Sequence, residues 1–279
     1  MIIVIDGTNR HQYTKLLDDM FALRARVFAG RLGWEVTVEN GKEIDQYDDL
    51  DPAYVIGVNE KNEVVACVRA LQTTGPHMLT DVFAKILDGE PPTRSPTIWE
   101  STRFCVDTEN LDRGTAPNSI SYATCELMAA SLEYAQGAGI TDIVTVIDPI
   151  MNRVLKRSDC APYGYVGKVV PMGKVRAMAA LLDCTDERIE KIRAFAGIEG
   201  DMFVDQARAF ALSDRGRQAL DATASVRDAA PKARAEDITH SLLLEYCIDQ
   251  VTSAQTEEEI ASAHQMSSML IGSGLLKTH

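Results

Sequence analysis

Four charged side chains stand inside otherwise apolar segments, and this constrains the fold more than any other feature of the sequence. Arg24 lies beside Leu23, Val27 and Phe28 in a stretch with helical spacing, Arg69 interrupts VVACVRAL, and Glu100 and Arg103 interrupt IWESTRFCV. A charge taken out of water without a partner is strongly destabilising, so the fold has to bring carboxylates to these arginines. The acidic, turn-rich stretch 34–52 supplies Asp45 and Asp48. One cluster joining helix, loop and strands follows, and it has two readings. It is either an edge network that ties the loop to the sheet or the polar floor of a pocket. Trp34, one of two tryptophans, can form with Phe28 the flat walls that an adenine or similar ring needs, although such a pair also serves as plain core.

The periodicity around these residues predicts a helix over 11–31, then a loop over 34–52 long enough to be functional. The β-branched runs 53–58 and 64–71, separated by NEKNE, read as an antiparallel hairpin. A strand at 97–107 follows the Pro-rich GEPPTRSP, a helix spans 117–137 and ends at Gly137 and Gly139, and a buried strand occupies 142–148. A short helix with Pro at its start covers 149–157, and YGYVGKVV and VRAMAALLD are two more strands. The order predicts a layered α/β domain over 1–183. Beyond Cys184 the chain turns acidic and Ala-rich, with helix starts at Thr185 and Thr256 and apolar stripes at Leu243, Tyr246, Cys247 and Val251 and at Ile260, Ala263, Met266, Met269 and Leu270. Residues 184–279 are therefore expected to be a helical extension.

A chain of 279 residues with 46% hydrophobic and 25% charged residues can bury a sizeable core. Its net charge of −13 argues against a general nucleic-acid coat. No leader and no membrane span are readable, and the six scattered cysteines suit reduced thiols, so a cytoplasmic location is expected. Several motifs fail on spacing. GKVVPMGK at 167–174 has five residues between its glycines and no hydroxyl after the lysine, so it is not a phosphate loop. Neither a nucleophile elbow nor a dinucleotide fingerprint occurs. The histidines at 11, 77, 240, 264 and 279 lack metal-ligand spacing and read as ordinary surface or structural residues, so no metal is implied.

The charged residues also belong to a longer linear pattern: Arg24-x-x-x-Phe28, Arg31-Leu32-Gly33-Trp34, Gly41-x-Glu43-x-Asp45-x-Tyr47-Asp48, Cys67-x-Arg69, Thr73-Thr74-Gly75-Pro76-x-Met78-Leu79 and Trp99-Glu100-Ser101-x-Arg103-Phe104. This constellation resembles the LuxI-type autoinducer synthases, the acyl-homoserine-lactone synthases, with weaker similarity continuing to about residue 183. The resemblance implies a GNAT-like N-acyltransferase core with a mixed, mostly antiparallel sheet. It implies S-adenosylmethionine as amine donor and electrophile, an acyl carrier protein thioester as the usual acyl donor with acyl-CoA as the alternative, and no separate cofactor. It carries over Arg24, Asp45, Asp48, Arg69, Glu100 and Arg103 as catalytic, and Phe28, Trp34, Asp45, Asp48, Arg103 and Phe104 as binding S-adenosylmethionine. Ser101 and Thr145 would lie near the acyl group, and a threonine at the latter position accompanies 3-oxo chains in this family. Glu100 is the candidate base for the amine, and Arg103 with nearby backbone N–H groups the candidate oxyanion donors.

Arg153, Lys156, Arg157, Lys168, Lys174 and Arg176 against Asp159 alone give a local net charge of +5 over 149–180. An acidic carrier protein would be steered to such a patch, and a solvated helix face is the alternative. Where the family has Pro after Leu71 the chain has Gln72, and a common Arg-Arg-Ala-Gly-Trp-like stretch stands as Lys156-Arg157-Ser158-Asp159-Cys160. Both departures fall toward the acyl side. Two rival readings are an N-acyltransferase of similar fold with another amine or acyl-CoA, and a non-catalytic sensor of a metabolite or carrier protein.

Overall fold

The computed structural model describes residues 1–91, 93–108, 122–173 and 175–219. Seven strands form one sheet in the order β1-β4-β5-β6-β7-β9-β8, where β1 is Ile2–Ile5, β4 Ala53–Val58, β5 Val64–Gln72, β6 Ile98–Val106, β7 Asp142–Ile147, β8 Gly164–Met172 and β9 Val175–Asp183. All neighbours are antiparallel except β6 and β7, so the sheet is mixed and mostly antiparallel, as expected. The hairpin, the 98–106 strand, the last two strands and the short helix α4 (Pro149–Arg157) stand where periodicity put them. Strand β1, too short to show a period, was not legible.

Apolar residues alternate across the strands, and each face takes its own cover. Helix α3 (Tyr122–Gly137), apolar on nearly all sides, packs with α5 (Asp186–Ala196) on one face over Val55, Ala66, Val68 and Val106. Helix α1 (Thr14–Arg24) covers the other face through Leu16, Leu17, Met20 and Leu23, over Tyr54, Ile56, Cys67 and Cys105. The five cysteines among the described residues are buried free thiols.

The helix expected over 11–31 has three parts: a 3-10 turn at Arg10–Gln12, α1, and π-helical turns over Ala25–Arg31. The wider turns admit an extra residue, with the Leu32 amide bonding the Val27 carbonyl at 2.9 Å. The loop 34–52 is not featureless either. It holds a small hairpin of β2 (Val38–Glu39) and β3 (Lys42–Glu43) and a 3-10 turn at Gln46–Asp49.

The expected boundary at 183/184 falls inside the first compact unit, which runs from Met1 to Gln218. Thr185 caps α5 by accepting from the Arg188 amide, as the sequence predicted. The chain then returns to the sheet edge, where Ile2 pairs with Phe203, the Ile2 amide donates to the Met202 carbonyl and the Val204 amide to the Ile2 carbonyl. Helix α6 (Gln206–Leu212) follows, and Asp214 accepts hydrogen bonds from the Thr14 and Lys15 amides at the start of α1. These bonds make residues 184–218 part of the core unit. The start of the expected 117–137 helix, Lys174, Thr256 and the two C-terminal stripes lie outside the described residues.

Gly167 joins β8 to the 3-10 turn Ala84–Leu87. Its φ is +60°, and a Cβ there would lie 1.9 Å from the Ile86 carbonyl oxygen. Gly167→Ala is expected to lower stability by about 1–3 kcal/mol, read as a reduced urea midpoint, because backbone rather than a movable side chain has to give way.

Candidate active site

Helix α1 ends at Arg24, whose guanidinium is fully buried. Its Nε donates to Glu43 Oε2 at 2.6 Å, and its two terminal nitrogens grip both Asp48 oxygens at 2.8 and 3.0 Å. Arg69, equally buried on β5, reaches Asp48 Oδ1 at 2.7 Å and both oxygens of Asp45 at 2.5 and 3.0 Å, while its Nε donates to Thr102 Oγ1 at 3.0 Å. Arg103 approaches from β6 and meets Glu43 Oε1 at 3.0 Å and Asp45 Oδ2 at 2.6 Å. Three arginines thus face three carboxylates, which is the cluster expected from the sequence with Glu43 added and Glu100 outside it. Glu43 is as buried as Arg24, and no apolar run surrounds it to advertise that. Its signals in the sequence were its place two residues before Asp45 and its position in the linear pattern that carries the family resemblance.

Strand β6 carries an extra residue at this point. Cys67 pairs with Cys105 and Arg69 with Thr102, so two steps on β5 match three on β6, and Arg103 takes a φ of +55°. The bulge turns Thr102 and Arg103 to the same face and resets the alternation beyond. Phe104 consequently packs with the α3-side cluster, so it does not join Phe28 and Trp34 as the expected S-adenosylmethionine set required. Phe28 and Trp34 do come together, stacked at 5.1 Å with their planes 14° apart, and Arg103 lies over the Phe28 ring. Phe28 is buried and Trp34 is 44% exposed, so the stack presents one open aromatic wall.

Burial separates these residues by what they can touch. Asp48 accepts from Arg24 twice, from Arg69, from the Tyr54 hydroxyl at 2.7 Å and from the Asp45 amide at 2.8 Å. Five donors saturate its lone pairs, so Asp48 has none left for a ligand. Burial by itself would raise its pKa, but the Arg24 hydrogen bonds and charge, with Arg69 behind them, hold it well below the usual carboxylate range. Burial and Asp48 together push the Tyr54 hydroxyl far up. Arg24 and Arg69 are likewise enclosed. Asp45, 18% exposed, and Arg103, 12% exposed, are the partly exposed members of the network.

Glu100 departs from the cluster the sequence suggested. It is fully buried, and its oxygens accept from the backbone amides of Met78 and Leu79 at 2.7 and 2.6 Å, at the start of α2 (Met78–Asp81). Burial pushes its carboxyl up to about 7, opposed by the two amides and the Arg69 charge and assisted by Asp81. Met78 links the two halves of the site, since its sulfur lies 3.4 Å from Arg69 and 3.6 Å from Arg103.

The parallel pair opens beside Glu100. Strands β6 and β7 are paired from Ile98↔Asp142 to Ser101↔Thr145, and no pairing joins their continuations to Val106 and Ile147. Thr145 Oγ1 donates to the Ser101 carbonyl at 3.0 Å at the point of divergence, so the two residues expected near the acyl group do meet. The patch residues Arg153, Lys156 and Arg157 are exposed at the C-terminal half of α4. Lys168, exposed on β8, is ion-paired with Asp88.

A family model described as autoinducer synthase matches residues 8–192. An acyl-homoserine-lactone synthase of Agrobacterium fabrum is 34% identical over 191 residues, 68% of this chain and 90% of the relative. The solved synthase LasI is 30% identical with a TM-score of 0.60, over 72% of this chain and 98% of LasI. A synthase described as CoA-dependent, BjaI, solved with S-adenosylmethionine and isopentyl-CoA, is 25% identical with a TM-score of 0.65, over 73% of this chain and 92% of BjaI. Among the described residues, no helix is long and apolar enough to cross a membrane.

Proposed function

The chain belongs to the autoinducer synthases, the transferases that form acyl-homoserine lactones, and from that premise we propose which substrates it takes and how its residues act on them. S-adenosylmethionine supplies the amine. Its adenine or sulfonium rests against the open face of Trp34, its ammonium is drawn to Asp45, and its carboxylate to Arg103. Glu100, poised near neutral pH beside the opening between β6 and β7, is the observation that supports this reading best. It takes the ammonium proton directly or through one water, and the freed amine attacks the thioester carbon. Arg103 commits its Nε and one terminal nitrogen to Glu43 and Asp45 and keeps Nη1, which otherwise meets only the Met78 sulfur, for the methionine carboxylate, so the edge amides of β6 beyond Ser101 are the better oxyanion donors. The thiol leaves with a proton and the amide forms. The methionine carboxylate then closes on its γ-carbon and expels methylthioadenosine. S-adenosylmethionine is consumed, so it is a substrate and the reaction uses no separate cofactor.

The proposed donor is an acyl carrier protein thioester, and the reading places the enzyme in the cytoplasm. Exposed Arg153, Lys156 and Arg157 offer an acidic carrier a complementary surface near the β7 end of the opening. Lys156→Glu is expected to raise KM for a carrier-borne thioester several-fold, more at low salt, with little effect on a CoA thioester. An equal effect on both donors would remove the patch as a carrier surface.

Mass spectrometry after incubating the protein with S-adenosylmethionine and a panel of carrier-protein and CoA thioesters tests the reaction. An acyl-homoserine lactone with methylthioadenosine in equal amount is the expected result. Preference between the two thioester types names the donor. Binding of S-adenosylmethionine without either product would favour a sensor.

A further inference from the structure

Glu100 depends on two backbone amides, and the turn before them decides where those amides point. Thr73, fully buried, donates from Oγ1 to the carbonyls of Ile98 and Ser95 and accepts from the Ser95 amide. Arg94 donates to the carbonyls of Thr74 and Gly75. His77 then closes the turn on itself. Its ring Nδ1 lies 2.9 Å from the Gly75 carbonyl oxygen, which only accepts, so Nδ1 carries the proton. The residue is extended (φ −154°, ψ 159°) and directly precedes Met78, whose amide meets Glu100 and whose sulfur meets Arg69 and Arg103.

The imidazole is fully buried, and its Nε2 has no hydrogen-bond partner among the described residues. An idle buried nitrogen costs free energy that an apolar side chain would not, so packing alone does not account for histidine here. What the ring supplies is the single hydrogen bond from Nδ1.

We propose that His77 is a positioning residue: its Nδ1–H, fastened to the Gly75 carbonyl, locks the turn that aims the Met78 and Leu79 amides at Glu100. This rests on Glu100 being the base. The groups facing Glu100 are those two amides from α2, Arg69 from β5 and Asp81 from α2. If the turn slackens, the amides no longer favour the ionised carboxylate while burial still opposes it.

The test compares pH profiles of kcat/KM for the full chain with those of His77→Leu, His77→Asn and Glu100→Gln. His77→Leu is expected to move the acid limb up by about one pH unit and to lower kcat roughly tenfold, with little change in KM for S-adenosylmethionine. His77→Asn, whose side-chain N–H can take the place of Nδ1–H, is expected to restore the profile. An unmoved limb in His77→Leu overturns the proposal, and so does an equal shift in the Leu and Asn variants, which would mean that the N–H donated to Gly75 is not what sets the profile. Glu100→Gln separates the two levels. If it removes the limb while His77→Leu leaves it in place, only the role of His77 fails; if it leaves the limb in place, Glu100 is not the base. Should the Leu variant not fold, 15N NMR of the unmodified protein still decides, because the Nε2–H tautomer at His77 would overturn the proposal and the Nδ1–H tautomer is the expected result.

Discussion

Glu100→Gln is expected to lower kcat/KM by about 10²–10⁴-fold, the range spanned by loss of a general base, while the protein stays folded and still binds S-adenosylmethionine. The expectation rests on where the carboxylate sits. It is enclosed, carries no side-chain ion pair among the described residues, and is pushed by burial to about 7. A base must be ionised to accept a proton, so activity of the unaltered enzyme should rise with pH through about 7. The Gln variant should show no such limb in its residual rate. Steady-state kinetics across pH 5.5–8.5, with thermal melts as a check on folding, make the comparison. Parent-like activity in the variant would return the proton transfer to solvent or to Asp45.

The second large effect is on stability. Asp48→Asn is expected to cost about 3–5 kcal/mol, because the amide keeps the shape but leaves Arg24 and Arg69 short of one buried counter-charge. It also places an N–H₂ where at least one arginine N–H already points. The pH dependence has a definite sign. The Asp48 carboxyl is held below its ordinary value in the fold, so its contribution is fully present above the unfolded pKa near 4 and is lost as pH falls through the lower folded value. Urea unfolding at pH 7 should therefore show the full difference between parent and variant, and the gap should narrow in strong acid. An unchanged gap at low pH would mean that the variant acts through shape and not through charge.

Both effects come from one device, in which opposite charges are buried together on rigid elements. The carboxylates of Glu43, Asp45 and Asp48 ride on a short hairpin and a 3-10 turn, while the arginines ride on α1, β5 and β6. Asp45 anchors that turn by accepting from the Tyr47 amide at 2.9 Å, and Asp48 reaches back to the Asp45 amide at 2.8 Å. This reciprocal pair fixes both carboxylates before either arginine is considered. The enclosed members hold the geometry, and Asp45 and Arg103 are the partly exposed members at its rim.

The sequence by itself determined that Arg24, Arg69 and Arg103 had to find carboxylates and that Asp45 and Asp48 would be among them, because an unpaired buried charge is too unfavourable to survive in any fold. It also determined the hairpin, α4 with its Pro at the start and the last two strands, where alternation and end signals are local. Tertiary structure alone decided the rest. Glu43 carries no local mark of burial, and only the folding of its hairpin between Arg24 and Arg103 makes it the third counter-charge. Glu100 looked like a member of the arginine cluster until strand pairing and the 73–79 turn gave it two amides instead. Phe104 looked like a member of the aromatic binding set until an extra residue on β6 reset the alternation and sent it to the other face. His77 looked like an ordinary surface or structural histidine, and only the folded core takes its ring out of water and leaves Nε2 without a partner among the described residues. The difference is physical: periodicity and net charge are properties of neighbouring residues, whereas a bulge, a donated amide and a shared counter-charge exist only once distant segments have met.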